Sequence, residues 1–469
     1  MVRQAHHDWG KPYVLSLSKD ARTGMGNENV MIYYQDLVKA FQELETGYSP
    51  QEAVAEAARC VGCEDAPCAK ACPAGVEVAK FIRQVASRNL SGAIRLIKEE
   101  NILAGTCARI CPQSSLCEGK CSSKELASPI KIGRLQRFAA DQELEKGPKP
   151  LKSLPPKGIK VAVVGAGPAG LSAATFLKRL GYDVDLYEAE SLPGGVLTYS
   201  IPPYRLPKQV VQQEVNYIRS LGVRIHTRHP VDDPVALLDL YRAVFIGTGA
   251  NRPSRLGIHG EDLPGVIQAV DFLREVNLAL IEKRDFERSL GDRVVVIGGG
   301  NAAIDGAVTA RRLGIPEVTI LYRRTEEEMP AWDGERAVAQ HEGVRFWTLA
   351  SPIRFLGNGK LSSVECLEVQ LSGEDETGRM RPVPLTGTEF RISCDTAVLA
   401  IGQEPGKGFP GLKQDPKGLI EVDGETQASS VPGVYAGGDA VRGINTAVRA
   451  VGDGKRAAFA ADAWIQGPK

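Results

Sequence analysis

Eight of the ten cysteines in this 469-residue chain fall between Cys60 and Cys121, in two runs. Cys60, Cys63, Cys68 and Cys72 read C-x2-C-x4-C-x3-C-P, and Cys107, Cys111, Cys117 and Cys121 read C-x3-C-P-x4-C-x3-C. Gaps of two to five residues let several thiolates converge on one iron–sulfur cube. A proline after the last cysteine is a habit of bacterial ferredoxin runs, where that last cysteine often serves the other cluster. Paired structural zinc sites also use four thiolates, but they favour repeated C-x2-C knuckles, and only one occurs here. Spacing alone therefore reads as iron–sulfur ligation with all eight cysteines as candidates. Cys366 and Cys394 stand apart with no C-x-x-C, and read as buried, unreactive thiols.

A second chemistry is written in glycine. "KVAVVGAGPAGLSAATFLKRLGYDVDLYEAE" places Gly165-x-Gly167-Pro168-Ala169-Gly170 after an apolar run and before a helical pattern. Such glycines permit a tight turn and close backbone approach, and the helix start then faces a pyrophosphate. Glu188 closes the next apolar run, where a carboxylate accepts from ribose hydroxyls. A second copy, "RVVVIGGGNAAIDGAV", supplies Gly298, Gly300, Asn301, Ala302 and Ala303. Its following strand ends in Arg323 and Arg324 instead of an acid, and two guanidinium groups suit a 2′-phosphate. NADPH is expected there, with NADH the lesser candidate, and FAD is expected at the first copy. Hydride transfer between such cofactors needs orientation and no obligatory base, so no catalytic residue is named.

These groups need elements to hold them. "VAKFIRQVASRNLSGAIRLIKEEN", between the cysteine runs, has apolar residues at helical spacing and no ligand candidate, as a scaffold would. The linker "KGPKPLKSLPPKG" then separates the cysteines from the glycine motifs. The expected class is α/β: a helical iron–sulfur domain over 31–150, then two Rossmann-like domains. The FAD domain takes 158–289 and 401–469, and the NAD(P)H domain, 290–400, is inserted into it. Residues 1–30 show no periodicity and read as a disordered arm. Lys plus Arg equals Asp plus Glu at 57 each, which gives no nucleic-acid footprint. Gly and Pro interrupt the apolar runs, so no membrane span is expected, and no signal sequence opens the chain. A cytoplasmic setting is expected, where clustered cysteines are ligands or redox centres sooner than disulfides.

"CEDAPCAKACPA", "GTCARICPQSSLCEGKC" and "SPIKIGRLQRF" resemble the two-cluster domain shared by dihydropyrimidine dehydrogenase and the glutamate synthase small subunit. The resemblance implies one [4Fe–4S] cluster on Cys60, Cys63, Cys68 and Cys121. It implies a second on Cys72, Cys111, Cys117 and Gln136, which makes Cys107 a bystander, against the spacing. From about residue 158 onward the chain resembles flavoproteins with two dinucleotide domains. "PGGVLTYSIPPYRLP", with Gly195 and Arg205, looks like their flavin-wrapping loop, and "AVFIGTGA" sets Gly247 and Gly249 beneath the dinucleotide. "GVYAGGDAVRGINTAVRAVGDGKRAA" looks like their closing motif. It implies Gly438 and Asp439 at the ribityl chain, and Asn445, Thr446 and Ala447 at the isoalloxazine. Gly402 joins the cofactor-binding set.

Together these motifs describe an electron-input flavoprotein, passing NADPH-derived electrons through FAD and two clusters to a partner. No segment remains for a terminal substrate, so a catalytic partner subunit is expected. It would be a glutamate synthase large subunit, an FMN-barrel dihydropyrimidine dehydrogenase subunit, or the ferredoxin-linked flavoprotein of a bifurcating transhydrogenase. The rival of another class is an iron–sulfur sensor or scaffold with an inactive nucleotide fold. Glu188, Asp439 and the paired arginines weigh against it, since a dead site needs none of them.

Overall fold

The computed structural model describes residues 31–375, 378–406 and 408–467, so the expected arm over 1–30 lies outside the described residues. The chain divides into two compact units, one holding 46–198, 205–252 and 403–469, the other the residues through Glu45 with 199–204 and 253–402.

The first unit contains a five-stranded parallel sheet in the order Val434–Ala436, Ala243–Ile246, Lys160–Val164, Asp183–Tyr187, Arg224–His226. Parallel sheets are covered on both faces, which is why "VAVV" and "AVFI" are uninterrupted apolar runs, all buried. The helices Pro168–Arg179 and Ala447–Gln466 pack on each other beside this sheet. They meet so closely that a Cβ at Gly454 would collide with the Ala169 carbonyl oxygen.

The same unit carries the helical cysteine region. Pro50–Ala58 begins with a capping box: the Ser49 hydroxyl accepts from the Glu52 N–H at 3.3 Å, and the Glu52 carboxylate accepts from the Ser49 N–H at 2.8 Å. The scaffold expected between the cysteine runs is two helices, Val78–Ala86 and Leu90–Glu100. The break falls at Arg88, in the left-handed region with φ +60°, and Asn89 restarts the helix by accepting from Gly92 at 3.1 Å. Phe81, Ile82, Val85, Ile97 and Leu103 form the apolar interior, joined by Leu135 and Phe138 of the helix Ile132–Lys146. Lys455, on the last long helix, donates to the Ala74 carbonyl at 2.9 Å and pairs with Glu100, which ties the cysteine region to the nucleotide-binding part of its unit.

The second unit is built on another parallel sheet, ordered Arg345–Trp347, Glu317–Leu321, Arg293–Ile297, Thr396–Leu399, Val266–Gln268. An antiparallel leaf of Ala350–Gly357, Leu361–Glu374, Met380–Pro384 and Phe390–Ser393 is inserted before its fourth strand. Two boundaries differ from the sequence expectation. The sequence places Val266–Gln268 and the helix Ala269–Glu282 in the first nucleotide domain. Parallel pairing of Val266 with Ala397 puts them in the second, which runs from Pro253 to Gly402. The sequence groups residues 31–45 with the cysteines. Ile32, Leu37, Ala40 and Phe41 instead join the second unit's core, the helix that carries Leu37 and Ala40 packed on Ala269–Glu282.

One ion pair fixes that core. Arg312 donates from Nε and Nη2 to Glu342 and from Nη1 to the Ala40 carbonyl at 2.8 Å, with both charged side chains almost fully buried. Removing one partner strands the other charge, so Glu342→Ala should cost about 3–5 kcal/mol in denaturant unfolding of this unit. A loss under about 1 kcal/mol would show that water reaches Arg312.

Among the described residues no helix is long and apolar enough to cross a membrane.

Candidate functional site

The first glycine turn joins the strand Lys160–Val164 to the helix Pro168–Arg179, which opens on Pro168 and Ala169. Gly165 has φ +95°, and a Cβ there would sit 2.5 Å from the Gly247 carbonyl oxygen. A Cβ at Gly170 would collide with the Gly165 carbonyl oxygen. These two glycines are required by the turn itself. Gly167 is different: its Cβ direction meets nothing nearer than 4.0 Å, so the backbone stands bare at the helix start, as a pyrophosphate would need. Gly195, φ +54°, leans over this turn, its Cβ position 3.1 Å from the Gly167 Cα. Arg205 is half-buried at the far end of that loop, and Gly249, φ +74°, faces open space past Gly247.

Two carboxylates stand beside the turn, Glu188 buried and Asp439 half-buried. Glu188 accepts from the Ala166 N–H at 2.7 Å and the Glu190 N–H at 2.9 Å, and burial pushes its pKa up. An ionised carboxylate has about four acceptor positions, so Glu188 keeps capacity for ribose hydroxyls. Asp439 follows Gly438, whose φ of +68° brings it against Ala169, 3.1 Å from a notional Cβ. Asp439 accepts from the Asn445 N–H at 3.1 Å, and burial raises its pKa to about 6. Asn445 in turn accepts from the Thr446 N–H at 2.8 Å, and Thr446 is the N-cap of the helix that starts at Ala447.

The second turn repeats the logic in the other unit. A Cβ at Gly298, φ +144°, would collide with the Ala400 carbonyl oxygen, while Gly300 has nothing within 4 Å. Gly299, which sequence reasoning passes over, is needed because a side chain there would run into the Tyr322 ring. Asn301 is turned inward, accepting from the Trp332 N–H at 3.0 Å, while Ala302 is exposed. Gly402, φ +111°, accepts from the Ser254 N–H at 3.1 Å. The arginine pair splits. Arg323 is exposed, but Arg324 is 3% exposed, donating to the Met380 carbonyl at 2.7 Å and to Asp375 at 2.6 Å. At this strand end the exposed guanidinium is that of Arg323, and Arg324 is tied to the antiparallel leaf.

The clustered thiols gather in two sets. Burial raises Cys68 to about 11, with Cys121 and Cys60 close enough to add to the shift. The Cys63 thiol donates to Ser122, next to Cys121, at 3.4 Å. In the second set a hydrogen bond with Cys107, then burial, lifts Cys111 well above the ordinary range, with Cys72 and Cys117 also near. Burial takes Cys117 to about 12. Cys72, Cys107, Cys111 and Cys117 line a cavity of about 30 Å³ together with Gln136 and Val448. Gln136 donates its amide N–H to the Ala104 carbonyl at 2.8 Å, so its oxygen is the atom left for a ligand. Both candidates for an eighth ligand, Cys107 and Gln136, stand at this cavity. Of these four thiols, Cys107 is buried and Cys72, Cys111 and Cys117 are half-buried, and burial and neighbouring thiols raise the pKa of the last three, as in a set whose deprotonation awaits a bound cation. Among the described residues no three ligand-type side chains close on the single point that one metal ion needs. Cys366 and Cys394 are fully buried in the second unit, each pushed to about 12 by burial.

Residues 37–148 match the family described as dihydropyrimidine dehydrogenase domain II, 4Fe-4S cluster, and residues 159–454 match pyridine nucleotide-disulphide oxidoreductase. The chain is 38% identical over 431 residues to the NADP(+)-dependent formate dehydrogenase subunit beta of Moorella thermoacetica, covering 86% of itself and 60% of that protein. It is 34% identical over 444 residues to the glutamate synthase (NADPH) small chain of Escherichia coli (strain K12), covering 91% and 94%. It is 36% identical over 428 residues to the NAD-dependent dihydropyrimidine dehydrogenase subunit PreT homolog of Salmonella typhi, covering 90% and 97%. Among solved structures, Mycobacterium tuberculosis FprA in complex with NADPH aligns with a TM-score of 0.55 at 23% identity, over 66% of this chain and 84% of that one. That likeness speaks to the fold.

Asp439 gives a test with a defined sign. A carboxylate whose folded pKa lies above its unfolded value costs stability as pH rises past the unfolded value, in full above the folded one, here about 6. Asp439→Asn removes that cost and keeps an oxygen for the Asn445 N–H. Flavin-free protein carrying the change should be more stable than the parent, by about 1 kcal/mol more at pH 8 than at pH 5 in urea titrations. Equal gains at both pH values would show that Asp439 does not titrate as its burial requires.

Proposed function

The chain belongs to the pyridine nucleotide-disulphide oxidoreductase family, and from that premise we propose that it is an electron-input oxidoreductase that feeds a separate catalytic subunit. NADPH is oxidised at the second glycine turn, FAD is held at the first, and single electrons leave through two [4Fe–4S] clusters. Bound FAD supplies the conversion of a two-electron hydride into single electrons that clusters can carry.

One observation supports this order above the rest. Val448, beside the Asn445–Ala447 turn, lines the cavity of Cys72, Cys111 and Cys117. A Cβ at Gly452 on the same helix would collide with the Pro73 carbonyl oxygen, so helix and cysteine loop are in direct contact. The turn assigned to the flavin and the second thiol set thus share a wall within one unit, and the set around Cys60, Cys63, Cys68 and Cys121 would be the outer one.

The residues divide the work. Gly165, Gly167 and Gly170 shape the bare turn for the pyrophosphate, Glu188 takes the ribose, and Asp439 with Asn445 and Thr446 orients the flavin end. Gly298 and Gly300 do the same for NADPH, with Arg323 on its 2′-phosphate. Gln136, its N–H engaged by Ala104, completes the second cluster's ligands, and Cys107 packs beside them. Relatives named as a small chain or beta subunit support a separate partner. That partner would be a glutamate synthase large subunit, an FMN-barrel dihydropyrimidine dehydrogenase subunit or a ferredoxin-linked flavoprotein. The cytoplasm, where thiols stay reduced, suits the clusters.

Anaerobically prepared protein should carry about eight irons, two cubes' worth, and one FAD, and should reduce ferricyanide with NADPH. Stoichiometric zinc in place of iron would overturn the reading. Cys107→Ser should keep the parent's iron, whereas Cys60→Ser should lose one cluster; a matching loss in both would make Cys107 the ligand and displace Gln136.

The two arginines should part company. Arg323→Ala should lower kcat/KM for NADPH by about one to two decades, worth roughly 1.5–3 kcal/mol, and leave NADH nearly unchanged. Arg324→Met should lower thermal stability and affect both nucleotides alike. NADPH selectivity lost at Arg324 and kept at Arg323 would reverse the assignment.

A further inference from the structure

The helix Ala104–Ile110 carries Cys107 and leads directly into Cys111, yet nothing local caps it: its N-cap, Leu103, has no side chain that can accept. The acceptor comes from 109 residues away. Glu214, on the helix Lys208–Ser220, takes the Gly105 N–H at 2.7 Å and the Thr106 N–H at 3.2 Å on Oε1, and the Thr106 hydroxyl at 2.5 Å on Oε2. Gly105 makes the approach possible, since a Cβ there would already stand 3.1 Å from Val210 and 3.4 Å from Oε1. The same first turn is gripped on its carbonyl side, where Gln136 donates to Ala104.

Glu214 is 5% exposed, on the wall of a cavity of about 240 Å³ that Lys98, Glu143 and Tyr217 also line. Lys98 is engaged with Glu143 at 2.6 Å, a buried pair that is neutral overall. Burial raises the Glu214 pKa, while the Thr106 hydroxyl, the two N–H groups and Lys98 favour its ionised form. In that form Glu214 gives this wall a negative charge one turn of helix from the second thiol set. A cluster's reduction potential follows net charge and hydrogen bonding around it, and charge acts further where water is excluded.

We propose that Glu214 is a positioning residue for the flavin-side cluster, fixing the helix that bears Cys107 and Cys111 and lowering that cluster's reduction potential by its buried charge. The inference rests on the proposed pair of clusters. Glu214→Gln keeps the shape and an oxygen for the backbone N–H groups and removes the charge. Thr106→Val keeps the charge and removes one hydrogen bond.

In anaerobic holoprotein, redox titration followed by EPR should show the Gln variant with the parent's iron content. One of the two cluster midpoints should move to more positive potential and the other should stay in place. Thr106→Val should alter the line shape of that same signal alone. Unmoved midpoints, or equal shifts in both, would overturn the inference. Should the Gln variant fail to hold iron, Thr106→Val decides: a change confined to one signal supports the positioning role, and no change or a change in both refutes it. A parent with fewer than two cluster signals would sink the two-cluster reading, and this inference with it.

Discussion

Much of the first unit depends on one helix having no side chain at two places. Gly452 and Gly454, two residues apart on Ala447–Gln466, lie against different neighbours. Gly454 admits the Ala169 carbonyl of the helix that opens at the first glycine turn, and Gly452 admits the Pro73 carbonyl that follows Cys72. Glycine inside a helix costs roughly 0.5–1 kcal/mol relative to alanine, so both positions work against the helix that contains them. What they allow is contact at backbone distance between the nucleotide turn, the closing helix and a cysteine loop. Lys455 reinforces the same junction from the next turn, reaching Ala74 and Glu100.

Buried charge is distributed unevenly in this chain, and the unevenness separates structure from chemistry. Arg312 with Glu342, and Arg324 with Asp375, are charges answered by charges. Glu188 and Glu214, buried, and Asp439, half-buried, are carboxylates held by hydrogen-bond donors, with desolvation raising the pKa of each. Desolvated acids without a salt-bridge partner are expensive to keep, and groups of that kind concentrate where a site needs them. Two of the three flank the first glycine turn, and the third steadies the helix that holds cysteines.

The glycine turns and the cysteine runs were legible in the sequence because each is decided within about thirty residues. A strand, three glycines and an acid at fixed spacing leave few alternatives, and so do cysteines separated by two to five residues. What was not legible depends on contacts across the chain. Nothing near Arg324 announces Asp375, so two adjacent arginines looked equivalent when one of them is a fold residue. The strand Val266–Gln268 belongs to the second sheet only because it pairs with Thr396–Leu399, and the stripe of Leu37, Ala40 and Phe41 needed a partner that local sequence does not name. Cys107 shows the limit from the other side: spacing makes it a ligand, resemblance makes it a bystander, and the fold seats it at the cavity with Gln136.

The long-range cap on the helix Ala104–Ile110 also bears on how the protein is made. A seven-residue helix has too few turns to persist in water unaided, and this one receives its N-terminal acceptor from Glu214. Synthesis proceeds from the N-terminus, so both cysteine runs leave the ribosome well before Glu214 exists. The run from Cys60 to Cys72 is complete in sequence at that moment, but the helix that presents Cys107 and Cys111 is not yet held. The first turn of that helix therefore gains its acceptor only once the helix Lys208–Ser220 has been made and has packed against it.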